Sequence, residues 1–135
     1  MSVEKKINIT KFALVRVSVR EENLRDYQEI ADQTDMAIKE NEKGVIYHQF
    51  TKDPSNRDTF NWVVLFTNLN SLLSYFNSPI IALYKANHEA LGISYNVEFF
   101  GTYNDEEMKQ LVKLELPSRI NQSIFGYDRV LNETT

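Results

Sequence analysis

Not one of the 135 residues is cysteine, and that absence removes whole classes of chemistry. Structural disulfides, thiolate-ligated zinc, iron–sulfur clusters and thiol nucleophiles are all excluded. It also suits a reducing compartment. The N-terminal MSVEKKINITKF carries lysines but no apolar segment, so no secretory signal is expected. No apolar run approaches the roughly 20 residues that a membrane span requires, so no membrane partner is expected. A net charge of −4 gives no basic footprint for nucleic acid. Missing too are a Gly-rich phosphate loop, a nucleophile elbow around serine and a dinucleotide fingerprint. Two histidines, His48 and His88, stand far apart without acidic residues at ligand spacing, so no metal site is expected. There is no internal repeat and no low-complexity tract. These exclusions leave a single domain over 1–135, soluble and cytoplasmic by expectation. A chain of this length can bury roughly 68–70% of its unfolded surface, so it needs no staples.

What is present is alternating periodicity. In residues 12–19 (FALVRVSV) Ala13, Val15, Val17 and Val19 share one face, and Phe12, Leu14, Arg16 and Ser18 the other, which is a strand pattern. From Glu21 the period becomes helical, with Leu24, Tyr27, Ile30/Ala31, Thr34 and Ala37/Ile38 on one side. Acidic residues at its start and lysines at its end suit the helix dipole, and Gly44 is the stop signal. Residues 45–51 (VIYHQFT) predict a second strand, 53–58 a Pro/Asx turn and 59–66 a third strand. A second helical region runs over 69–91, and Ser78–Pro79 must break it because a mid-helix proline removes a hydrogen bond. Residues 95–103 predict a fourth strand. Asn104–Asp105 then cap a third helix through Met108, Leu111 and Val112, ended by Pro117. The tail 124–131 (IFGYDRVL) is too apolar to stand alone in water.

The order β-α-β-β-α-β is the ferredoxin-like α+β plan, a four-stranded antiparallel sheet with both helices on one face. Strand order 4-1-3-2 follows from it. The strands read apolar on both faces, whereas a solvated second face should read polar. The bare face therefore needs a cover. A second copy closing face to face into a homodimeric barrel is the expected one, with the tail strapping across the partner. The alternative is that the 104–135 extension folds back over its own sheet.

The stretch GVIYHQFTKDPSNRDTFNWVVLFTNLNSLLSYFNSP, residues 44–79, resembles the antibiotic-biosynthesis-monooxygenase-like (ABM) family of dimeric α+β barrels. The likeness rests on Gly44, the Asp53–Pro54 turn, the cap Asn68 and Ser78–Pro79, and spans residues 11–103. It implies a small oxygenase that uses no cofactor and acts on a quinol-type or other small aromatic molecule. Where the family often carries Glu, Trp and His at a fixed spacing on the third strand and following helix, this chain has Val64, Phe66 and Tyr75. The greasier trio favours a second expectation, a barrel that binds a small ligand without turning it over. A third is a scaffold whose interior is filled.

Five residues are the candidates for a site. His48 is either a general base, since imidazole titrates near neutral pH, or a buried histidine bonded to a backbone or hydroxyl group. Trp62, the only tryptophan, is either the wall of an aromatic pocket or a core anchor whose indole N–H has found an acceptor. Asn61 points away from it. Arg16 places a cation where burial demands a partner. Glu98 on the neighbouring fourth strand is a feasible mate, with substrate anchoring and a solvated strand end the alternatives. Tyr75 and Tyr84, near where the resemblance places polar pocket residues, either donate to a substrate oxygen or simply pack. His88 reads as a surface or last-turn histidine.

Overall fold

A computed structural model describes residues 10–129; Val130 and Leu131 of the apolar tail, and the N-terminal stretch up to Ile9, lie outside the described residues. Strand β1 covers Lys11–Val19. A short 3₁₀ turn, Glu21–Asn23, leads into helix α1, Leu24–Asn41. Strands β2 (Val45–Lys52) and β3 (Thr59–Phe66) form the hairpin. Helices α2 (Leu69–Phe76) and α3 (Pro79–Leu91) follow. Then come β4 (Gly92–Gly101), α4 (Asp105–Val112) and a fifth strand, β5 (Ser118–Gln122).

Each boundary has a local cause. Asn68 caps α2 by accepting from the Ser71 amide at 2.9 Å, the bond expected of an N-cap side chain. Ser78 caps α3 through the Ile81 amide at 3.1 Å. Pro79 takes the first turn of the new helix, where its missing N–H is no loss; the same Ser78 hydroxyl donates back to the Tyr75 carbonyl at 2.8 Å. Asn104 and Glu107 form a reciprocal capping box, both bonds 2.8 Å. Gly44 does more than stop α1: a Cβ there would collide with the Ser71 hydroxyl, so glycine lets β2 start directly against α2.

The sheet order is β2-β3-β1-β4-β5. The first four strands are antiparallel neighbours in the expected 4-1-3-2 order. The expectation of a four-stranded antiparallel sheet is corrected, because β5 adds to the β4 edge in parallel, Val97 opposite Ser118 and Phe99 opposite Ile120. SRINQ carries too few apolar or β-branched residues to announce a strand. The free β4 edge recruits it, with the Pro117 carbonyl taking the Val97 amide at 2.8 Å. Helix α4 likewise ends at Val112, short of Pro117.

Helices α1 and α3 lie on one face of the sheet with the odd residues of β1 (Ala13, Val15, Val17, Val19), Phe60, Trp62, Val64 and Phe66 of β3, and Val97 and Phe99 of β4, all buried. The opposite face bears no helix. One end of it is apolar, with Phe12 against Phe100 (ring centroids 5.2 Å apart) beside Leu65 and Tyr47. Tail residues Ser123 and Phe125–Arg129 arch over that end and bound a groove of about 590 Å³. The other end carries Arg16, Ser18, Asn61 and Asn96, which meet across β1, β3 and β4. The bare face is thus apolar over only part of its extent.

Candidate functional site

Between the sheet and the helices, polar atoms meet in a line inside the core. His48 on β2 directs Nδ1 at Asp35 of α1 (2.8 Å) and Nε2 at the Tyr75 hydroxyl of α2 (2.9 Å). Its ring stacks on Trp62 at 4.6 Å and 27°. The Trp62 indole donates to the Tyr84 hydroxyl at 2.8 Å. Tyr84 and Tyr27 share a short hydroxyl–hydroxyl bond, and the Tyr27 hydroxyl lies 2.7 Å from His88 Nδ1.

Proton counting gives this second group one arrangement that uses the indole N–H and both hydroxyl donors. Indole N–H can only donate, so Trp62 gives to Tyr84, Tyr84 to Tyr27, and Tyr27 to a neutral His88 at Nδ1. His88 Nε2 meets no partner at hydrogen-bonding distance, although the Ser94 backbone still favours its protonated form. Burial outweighs that influence and keeps the His88 pKa below its ordinary value. His48 is lowered for the same reason, against the opposing pull of Asp35. Burial raises all three phenols, Tyr84 to only about 12, because Tyr27 and Trp62 both stabilise its anion.

Trp62, Tyr75, Tyr84 and His88 line a small apolar cavity with Val15, Val17, Val97 and Ile81. Phe76, Lys85, Tyr95 and Leu116 complete it, and these four are only half-buried. Its volume is about 30 Å³, the share of a single water. Lys85 brings the only formal positive charge to its rim. Among the described residues, no cluster of three or more His, Asp or Glu is placed to hold a metal, and no helix is long and apolar enough to cross a membrane.

The sheet thus brings together four of the five residues singled out from sequence: His48, Trp62, Tyr75 and Tyr84. Arg16 is not among them. It projects from the opposite face and pairs with Asp53 of the hairpin loop at 2.8 Å, not with Glu98. The register explains why: Arg16 stands opposite Asn96, while Glu98 stands opposite Leu14 and is taken by Arg119 and Asn121 of β5. Asp53 is held low by the Ser55 amide first, then by Asn56 and Arg16. His88 lies in the last turn of α3, as one of its two expected placements had it, but not at the surface: it is 5% exposed and belongs to the cluster. Sequence reasoning missed Asp35, Tyr27 and Lys85. Tyr27 sits on the apolar stripe of α1 and reads there as packing. Only its 57-residue separation from Tyr84 closes in space.

No family model and no curated protein matches the chain. Solved structures do match it. MupZ from Pseudomonas fluorescens aligns over 92% of this chain and 98% of its own, with 16% identity and a TM-score of 0.72. That span carries the likeness past the 11–103 core into the C-terminal extension. A conserved protein of unknown function from Bacteroides thetaiotaomicron VPI-5482 aligns over 70% and 98%, at 22% identity and TM-score 0.63. A second protein from that organism, provisionally named an antibiotic biosynthesis monooxygenase, aligns over 66% and 85%, at 13% identity and TM-score 0.60. Other matching structures bear the same provisional name. The chain therefore has the α+β fold of the ABM-like proteins that its sequence resembles.

Proposed function

We propose that this chain is an ABM-like, cofactor-independent monooxygenase acting on a small phenol or quinol, with its site between the sheet and helices α2 and α3. The observation that carries the reading is the Asp35–His48–Tyr75 line, with bonds of 2.8 and 2.9 Å, ending at a tyrosine that borders the apolar cavity. A substrate hydroxyl gives its proton to the Tyr75 oxygen as the Tyr75 proton passes to His48 Nε2. Asp35 then faces the imidazolium, and Lys85 offers a positive charge to the phenolate. Trp62 is the flat wall. The electron-rich anion reduces O₂ by one electron, and recombination of semiquinone with superoxide forms the C–O bond. The peroxide anion so formed takes back, through Tyr75, the proton held by His48, and loss of water from the resulting hydroperoxide leaves one oxygen in the product. The protein supplies a dry site, a base and an oriented donor.

The apolar lining of the cavity supports a second reading, a ligand-binding protein without turnover. Oxygen uptake with a panel of quinols separates the two. The first reading expects uptake that falls at least tenfold in His48→Ala; uptake equal to the parent's removes His48 as the base, and none at all with a bound quinol selects the second reading.

Both readings include a homodimer. Exposed Ile46, Tyr47, Phe125 and Tyr127 border one groove on the bare face, a grouping of apolar side chains that argues for cover by another molecule. Sedimentation of a stable single-chain particle at micromolar concentration contradicts it.

A further inference from the structure

We infer that Leu116 is the plug of this cavity and sets the size of the ligand it admits, an inference that rests on the cavity being the ligand site. As it stands, about 30 Å³ cannot hold even one aromatic ring, so a ligand must displace something. Of the twelve lining residues, eight are buried and belong to the sheet and the two helices. Four half-buried residues form the rim. Phe76, Lys85 and Tyr95 project from α2, α3 and β4, elements pinned by their own backbone bonds. Leu116 alone comes from irregular backbone, the connector 113–117 between α4 and β5.

That connector is tied to its neighbours at both ends. At one end the Leu114 and Glu115 amides bond to Leu111 and Val112 carbonyls of the last helical turn. At the other, the Pro117 carbonyl takes the Val97 amide. Glu115, itself one of these anchor points, has φ of +56°, and it is the only non-glycine with positive φ among the described residues. Side chains other than glycine adopt that left-handed conformation at a cost, and such strain persists where the surroundings impose it, often at lids and clamps. Packing of Leu114 and Leu116 against the core is what imposes it here. The side chain at the rim of the cavity thus follows a strained joint, and in the proposed opening it swings out on that joint. The ligand class that fits is a phenol of one ring, entering past Leu116 with its hydroxyl toward Tyr75 and Tyr84 and its charge, once ionised, near Lys85.

Trp62 is the sole tryptophan and lines the cavity, so its emission reports occupancy. Quenching by 4-nitrophenol (one ring) and 4-nitro-1-naphthol (two rings) is titrated into the parent, Leu116→Ala and Leu116→Phe, with thermal melts confirming that each is folded. The parent binds the one-ring probe and discriminates against the two-ring one. Leu116→Ala binds the two-ring probe at least tenfold more tightly than the parent does, and Leu116→Phe binds the one-ring probe more weakly than the parent does. Leu116→Val replaces the alanine variant if that fails to fold, with a smaller shift in the same direction. Parent and alanine variant binding both probes alike overturns the plug and leaves the site standing. Quenching by neither probe in any variant overturns plug and site together.

Discussion

Removing one oxygen, by Tyr84→Phe, tests whether the buried line of hydrogen bonds holds the core as described. Tyr84 is 7% exposed and Trp62 2%, so water cannot replace what is lost. The substitution leaves the Trp62 indole N–H, now 2.8 Å from its only partner, with no acceptor, which costs about 1–3 kcal/mol. It also deletes the bond to Tyr27, about 1 kcal/mol net, while Tyr27 keeps His88. The expected loss is about 2.5 kcal/mol. With a urea slope of roughly 1.5–2 kcal/mol per molar for a domain of this size, the midpoint falls by about 1.5 M. The melting temperature drops by about 10 °C. Circular dichroism follows the transition in the parent, Tyr84→Phe, Trp62→Phe and the double variant, so that the cycle isolates the pair. A coupling of about 1–2 kcal/mol is expected for groups in one network. A loss under about 0.5 kcal/mol with no coupling would refute the reasoning, because the indole would then have another acceptor.

Gly92→Ala places a Cβ 2.5–2.6 Å from the His88 ring. It should destabilise by about 1–3 kcal/mol through overpacking and separate His88 from Tyr27, read as a changed imidazole ¹⁵N shift; an unshifted His88 contradicts the packing. Glu115→Gly removes the left-handed penalty and should stabilise by about 0.5–1 kcal/mol, seen as a raised melting temperature. Acid should weaken the fold in two stages. His48 and His88 are held below their ordinary 6.5 by burial, so the unfolded chain binds more protons and stability declines as pH falls below 6.5. Asp53 and Glu98 are also lowered, by the Ser55 amide and Arg119 foremost, and their contribution is lost as pH falls further, through their depressed values. A urea midpoint that stays flat from pH 7 to 5.5 contradicts the first stage. Arg16→Gln should leave probe binding in the cavity unchanged, since Arg16 lies on the far face with Asp53; lost quenching there would place Arg16 in the site after all.

What the letters alone determined is whatever depends on neighbours along the chain. The alternation of Ala13, Val15, Val17 and Val19 forces a strand with one buried face. Ser78–Pro79 must split a helix, and Asn68 and Asn104 must cap one. From those local rules the four-strand order and the helix-covered face followed, but not the meeting of His48, Trp62, Tyr75 and Tyr84 between the sheet and the helices. Tertiary structure decided which polar tip meets which. Arg16 found Asp53 rather than Glu98 because strand register and the hairpin loop, not sequence periodicity, set that distance. Tyr27 and His88 joined the cluster because α1 and α3 pack over the same strip of sheet, bringing together hydroxyl and imidazole 61 residues apart. The SRINQ segment became a strand only because β4 left an edge of unpaired amides and carbonyls, and such an edge is satisfied by whatever backbone reaches it.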